Sequence, residues 1–211
     1  VAGLGGAHGT NEEAFAFGKF LRTCVVTPHL DAQMGDGLDP QFLVGVTDRA
    51  RIDDLEHAKT ILLWAGDLKE ELPVLYLRVR RAATALGATL VVVHPRRTGL
   101  DDVATHKITY RPGDGPEVLR RLAAGDGDHA AAREALGTGP VVAIVGRTGR
   151  SEDPRLAEAV AAFARELPDA TIMPVARRAN VFGALDMGVA PTLLPGRASL
   201  ADEDHLQKVL A

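Results

Sequence analysis

Apolar and polar positions along the chain follow two periods, and the changes between them mark out most of the predicted elements. Thr10-Asn11-Glu12-Glu13 has the form of a capping box, in which a threonine hydroxyl and a glutamate three residues on satisfy the first amides of a helix. The helix is expected to run toward Thr23, with the end of a strand before it at Val1 to Gly6 and a short strand after it at Cys24 to Val26, a β-α-β start. Asp31 to Pro40 carries Gly and Asp without periodicity and reads as an exposed loop. Ile61 to Ala65 and Thr89 to Val93 are continuous apolar strands. Pro73 opens and Gly87 closes the helix between them, with Leu75, Val79, Ala82 and Leu86 on one face. Two such strands joined through a helix imply a parallel pair covered on both faces.

Lys107 to Tyr110 predicts a third strand, followed by a helix around Val118 to Leu122, a flexible link at Gly125 to Asp128 and more helix to Leu136. The pattern then repeats. Val141 to Val145 predicts a strand, Asp153 and Pro154 an N-cap and first helical position, and Leu156, Ala159, Val160 and Phe163 a buried stripe. Ala170 to Val175 supplies the next strand, and the Gly- and Pro-rich Ala179 to Leu200 suits an ordered loop over the sheet edge. Alternating strands and helices imply an α/β fold with mostly parallel sheets. The cores are expected to contain Phe15, Phe20, Leu62, Leu63, Leu90, Val92, Ile144 and Phe163.

Composition narrows the chemistry. With 211 residues, 46% of them hydrophobic, the chain can bury a sizeable core. No apolar run approaches the roughly 20 residues of a membrane-spanning helix. The start at Val1, without a leader, suggests an internal portion of a longer protein. Twenty-four basic and 28 acidic residues are interspersed to a net charge of −4, which argues against nucleic-acid binding. The single Cys24 excludes an internal disulfide and a four-cysteine cluster built within this chain, and its apolar neighbours suggest a buried packing role.

Neither Ser151 nor Ser199 lies in a nucleophile elbow, the seven histidines show no zinc-hydrolase spacing, and there is no phosphate loop. Gly3, Gly5 and Gly6 form a loosened dinucleotide fingerprint, which tight packing between strand and helix explains equally well; Gly146 and Gly149 repeat it more poorly. His94-Pro95-Arg96-Arg97-Thr98 directly follows a buried strand, at the edge where open α/β sheets bind ligands. Arg96 or Arg97 there could hold phosphate or remain a solvated surface arginine.

Three islands in fixed order resemble the molybdopterin oxidoreductase family. The first is Thr10-Asn11-Glu12-Glu13 with Lys19-Phe20, Thr27 and Asp31. The second runs from Ile52-Asp53-Asp54 and Ala58 through Pro73, Gly87-Ala88, Pro95-Arg96 and Thr98 to Arg111-Pro112-Gly113-Asp114. The third is Asn180, Gly183-Ala184, Asp186-Met187-Gly188, Pro191 and Pro195-Gly196. The resemblance implies two Rossmann-like lobes clasping pterin guanine dinucleotides: lobe A from residues 1–47 and 138–211, and lobe B from 48–137. It implies cofactor-binding positions at Asn11, Glu12, Gly66, Asp67, His94, Arg96, Thr98, Gly113, Asp114, Asn180, Gly183 and Asp186.

Departures from the family pattern imply that these positions are vestigial. The molybdenum ligand position falls on Gly37, which has no ligand atom, and Asp36 beside it offers an alternative carboxylate. Asp67 stands where active members carry Asn and would repel phosphate, serving instead as a helix cap, while His94 replaces a frequent acidic residue. Lys69 to Pro73, Arg177 to Asn180 and the 65 residues between Asp114 and Asn180 resemble, in particular, the large iron-sulfur subunits of NADH:quinone oxidoreductase, respiratory complex I.

That resemblance implies a scaffold without catalytic or metal-binding residues of its own, in a peripheral arm on the cytoplasmic side of a membrane. Its partners would be the other complex subunits and the flanking iron-sulfur and C-terminal domains of the same chain. Iron-sulfur clusters are then expected in the full-length protein, with no cofactor in this portion and molybdopterin absent. Two alternatives stand beside it: a molybdopterin-dependent, formate dehydrogenase-like oxidoreductase domain, and a module that retains a pterin or nucleotide without metal.

Overall fold

The computed structural model describes residues 1–32 and 38–210. In chain order the elements are β1 (Gly3–Leu4), α1 (Asn11–Thr23), β2 (Leu30–Asp31), α2 (Pro40–Gly45), β3 (Thr60–Trp64), α3 (Leu68–Glu71), α4 (Pro73–Ala85), β4 (Thr89–His94) and β5 (His106–Thr109). There follow α5 (Gly115–Ala124), α6 (Ala130–Ala135), β6 (Val141–Val145), α7 (Arg155–Ala164), β7 (Thr171–Pro174), α8 (Val181–Asp186) and α9 (Glu203–Leu210). Two compact units result, one of Val1–Gly45 with Ala176–Ala211, the other of Val46–Val175.

The second unit is built on a five-stranded, fully parallel sheet of order β5-β4-β3-β6-β7. From β3 the chain winds outward through β4 to β5, then returns to β3's other edge and winds outward again through β6 to β7. The reversal beside β3 is a topological switch point, where the carboxyl ends of neighbouring strands part and leave a crevice. Apolar periodicity explains the layering. Every residue of β3 is buried; Ile61 and Leu63 pack with Leu75, Val79 and Ala82 of α4, while the pleat turns Leu62 and Trp64 to the opposite, equally buried face.

This sheet corrects the expected division into lobes. Val141–Val145 pairs with β3 over its full length, from Thr60↔Val141 to Trp64↔Val145, so residues 138–175 join the sheet assigned to lobe B. The reason lies in β3 itself: a fully buried central strand needs a hydrogen-bonded neighbour on both edges, and β6 supplies the second.

In the first unit β1 and β2 pair in parallel around α1, the expected β-α-β start. Its second strand, however, is Leu30–Asp31. Cys24 instead caps α1 through its backbone N–H to the Phe20 carbonyl, and its side chain is exposed. Val26 takes φ 55°, which is incompatible with a strand. Buried Arg22 donates from Nη2 to the carbonyls of Gly188 (2.7 Å) and Leu193 (2.8 Å), tying α1 to the stretch after α8. Ala179 to Leu200 is thus not loop throughout, since α8 lies within it.

Of the expected core, Leu62, Leu63, Leu90, Val92, Ile144 and Phe163 are buried. Phe15 and Phe20 are not, at 41% and 56% exposure. The inward face of α1 is Gly18, Leu21 and Arg22, so the two phenylalanines fall outside it.

Candidate functional site at the carboxyl edge of the sheet

The carboxyl ends of β3 and β4 bring Gly66, Asp67, His94, Arg96 and Thr98 to one edge of the second unit. Asp67 is buried and caps α3, accepting from the Lys69 N–H (3.0 Å). Both its oxygens also accept from the Gly99 N–H, at 3.2 and 3.1 Å. The carboxylate therefore staples the β4 loop to the β3 turn. The Glu71 carboxylate occupies the space a Cβ at Gly66 would take, so a side chain there would have to displace it.

His94 is 3% exposed, and the Arg96 N–H donates to its Nδ1 at 3.1 Å. Nδ1 also lies 3.0 Å from the Arg96 carbonyl, and Nε2 has no hydrogen-bond partner among the described residues. Burial, reinforced by the Arg96 charge, holds the His94 pKa below its ordinary value. Arg96 pairs with Glu70 at 2.9 Å and Arg97 with Asp102 at 2.8 Å, both exposed pairs. Thr98 donates from Oγ1 to Asp101 at 2.6 Å. Gly113 takes φ 98° in the turn after β5, and Asp114 precedes α5 without a side-chain cap bond.

Sequence reasoning missed a buried polar cluster at the same edge. The Tyr110 hydroxyl donates to Glu152 Oε2 (2.8 Å) and receives the Trp64 Nε1–H (3.2 Å), and Thr148 also donates to Glu152 Oε2 (3.1 Å). Burial raises the Tyr110 pKa, so the phenol stays a donor. Thr148 and Glu152 lie in a polar, Gly-containing stretch after β6 where nothing in the pattern announces burial. The Tyr110 end of the β5 segment was the one available signal.

The remaining positions belong to the first unit. Asn180 donates from Nδ2 to the Gly9 carbonyl (2.8 Å) and to Asn11 Oδ1 (3.0 Å), and its N–H donates to the Ala7 carbonyl (2.8 Å). Gly183 sits under both amide oxygens, so a Cβ there would collide with Asn11 and Asn180. Asp186 pairs with Arg197 at 2.6 Å. A cleft of about 250 Å³ lies among Gly5, Gly6, Thr10, Phe17, Asn180 and Ala184. The capping box is complete: the Thr10 N–H donates to Glu13 at 2.8 Å and the Glu13 N–H to Thr10 Oγ1 at 3.2 Å. Glu12 is exposed in the same first turn, its pKa lowered by the backbone and Thr10. Leu21 and Phe17 crowd the faces of Gly3 and Gly5, which favours the packing reading for those two glycines, whereas nothing approaches Gly6.

Residues 3–180 match the family model described as molybdopterin oxidoreductase. The chain belongs to the molybdopterin oxidoreductase family. It is 33% identical over 99% of its length to the G subunit of NADH-quinone oxidoreductase from Mycobacterium tuberculosis (strain CDC 1551 / Oshkosh), of which it spans 26%. The corresponding G subunit from Streptomyces coelicolor is 30% identical over 99% of the chain, which covers 27% of that protein. The alpha subunit of NADPH-Fe(3+) oxidoreductase from Geobacter sulfurreducens (strain DL-1 / KN400) is 30% identical over 58% of the chain and 15% of its own length. The chain thus spans about a quarter of the length of its NADH-quinone oxidoreductase relatives. Among the described residues no group of three or more His, Cys, Asp or Glu is placed to hold a metal ion. Gly37 and Asp36, at the expected ligand position, lie outside the described residues. No helix among the described residues is long and apolar enough to cross a membrane.

Proposed function

We propose that this chain is a non-catalytic scaffold portion of the large iron-sulfur G subunit of an NADH:quinone oxidoreductase, in which a molybdopterin-type fold persists around a degenerate cofactor site. Its partners are then the other subunits of the complex and the flanking iron-sulfur and C-terminal domains, in a peripheral arm on the cytoplasmic side of the membrane. NADH oxidation and quinone reduction belong to those other parts, as do the iron-sulfur clusters, since one cysteine cannot hold a cluster.

The observation that carries this reading is Asp67. A buried carboxylate with both oxygens committed to backbone amides supports the structure and opposes an incoming phosphate. The Glu71 carboxylate against Gly66 adds to the same field. On this reading the residues present do not fit a guanine dinucleotide. Calorimetric titration of a guanine nucleotide into the protein, with the Asp67→Asn variant in parallel, is expected to show no micromolar binding to the unaltered protein. Micromolar binding there, or near-stoichiometric molybdenum in the full-length protein, would overturn the proposal.

One observation favours a second reading, a module that retains a nucleotide or pterin without metal. His94 Nε2 is a buried polar atom without a hydrogen-bond partner among the described residues, and such an atom is costly unless something pairs with it. Acid-released pterin fluorescence from the purified full-length protein separates the two readings.

A further inference from the structure

We infer that the free edge of the five-stranded sheet carries a separate binding site for a phosphomonoester, formed by Arg111, Arg121 and His129. The strand β5 is hydrogen-bonded to β4 on one side only, and a cleft of about 320 Å³ opens where its carboxyl end meets α5. That volume lies at the small end of ligand sites, room for one phosphate and a group the size of a sugar or nucleoside.

Three elements build it. The end of β5 delivers Thr109 and then Arg111, and α5 delivers Arg121, on the same helix face as Glu117 and Val118. Gly125, at φ 70°, reverses the chain after α5, and the turn Gly127–His129 brings His129 back against the cleft. A left-handed residue is required at that reversal, which is why glycine stands there.

His129 is the feature that the fold leaves unexplained. It is 8% exposed, lines the cleft, and neither ring nitrogen has a hydrogen-bond partner among the described residues. A buried imidazole always presents one donor and one acceptor, or two donors when protonated, so this orientation is costly unless a ligand completes it. Neither Arg111 nor Arg121 is ion-paired among the described residues, whereas Arg96, Arg97, Arg120 and Arg155 of the same unit are. Glu117, a carboxylate lining the cleft, is held by Arg120 through two bonds of 2.9 and 2.6 Å. Two uncommitted guanidiniums and a buried imidazole around one cleft match the charge and the donor geometry of a phosphate. Asp114, also on the rim, places a carboxylate that opposes an anion.

The test is titration of inorganic phosphate and, separately, a nucleoside monophosphate into the protein, followed by the His129 ring resonances. A saturable shift of those resonances is expected at millimolar ligand, weaker than the micromolar nucleotide binding that would overturn the scaffold reading. Arg111→Gln and Arg121→Gln should each weaken binding about tenfold, the loss of one charge-assisted bond. Asp114→Asn should strengthen it, and Arg78→Gln, an equal charge change on α4, should leave it unaltered. Tighter binding of the monophosphate identifies an organic phosphate as the ligand, and equal binding identifies the free anion; both support the site. The proposal falls if His129 shows no saturable shift in the unaltered protein, or if Arg78→Gln weakens binding as much as Arg121→Gln, which would mark diffuse surface charge. The unaltered protein's response decides the matter even where a variant fails to fold.

Discussion

At Asp67 one carboxylate ties two turns of the sheet edge together. Its carboxylate satisfies two backbone amides, Lys69 N–H in α3 and Gly99 N–H in the β4 loop, so removing it strands two donors at once. Asp67→Ala is expected to lower stability by about 1 to 2 kcal/mol, the usual cost of a lost N-cap, measured by urea denaturation. Asp67→Asn, which still caps, should cost clearly less. Equal losses would mean that charge rather than capping matters there. His94 makes a pH prediction at the same edge. Burial depresses its folded-state pKa below the value of about 6.5 that it regains on unfolding. The unfolded chain therefore takes up the proton first as pH falls. This contribution to stability is complete above about pH 6.5 and is lost progressively below it, toward the depressed folded pKa. Denaturation midpoints at pH 7.5 and 5.5 should differ more in the unaltered protein than in His94→Gln, and an equal pH slope in the two would contradict the assignment.

Helices show where local pattern suffices and where it does not. Stabilising groups close in sequence were legible: the Thr10 and Glu13 capping box, Pro73 at the start of α4 and Gly87 at its end all appear as expected. Faces were less legible. The stripe of α7 holds at Leu156, Val160 and Phe163, but Ala157 rather than Ala159 is buried, and α1 turns Phe15 and Phe20 outward. Large apolar residues dominate a reading by composition, whereas the inward face of α1 is set by the close approach of Gly18 and the buried Arg22. The contrast predicts a stability difference. Phe163→Ala should cost about 3 to 5 kcal/mol as a core truncation, while Phe15→Ala and Phe20→Ala should stay within about 0.5 kcal/mol as surface changes. Chemical denaturation of the three variants decides it, and comparable losses in all three would refute the burial assignments.

At the scale of the whole chain, parallel strand pairing was legible in the continuous apolar runs, but the partner of each run was not, because β3 and β6 are separated by the whole of residues 65–140. The Tyr110, Thr148 and Glu152 cluster was hidden for the same reason: its members meet through strand order. That order also carries a consequence for autonomy. The second unit is one uninterrupted stretch, Val46–Val175, and its two ends are bound to each other. Ile172 N–H donates to the Asp48 carbonyl and Ala50 N–H to the Ile172 carbonyl, both at 2.8 Å, while Arg165 pairs with Asp48 at 3.2 Å. A segment whose ends meet, with its own five-stranded sheet and buried faces, has what an independent folding unit requires. The expected outcome is that residues 46–175 produced alone unfold in urea in a single cooperative transition and keep protected amides in β3, β4 and β6. Residues 48–137 alone, which leave β3 without its second neighbour, should show neither property. Cooperative unfolding of the shorter piece, or none in the longer one, would show that the pairing of β3 with β6 is not what completes this fold.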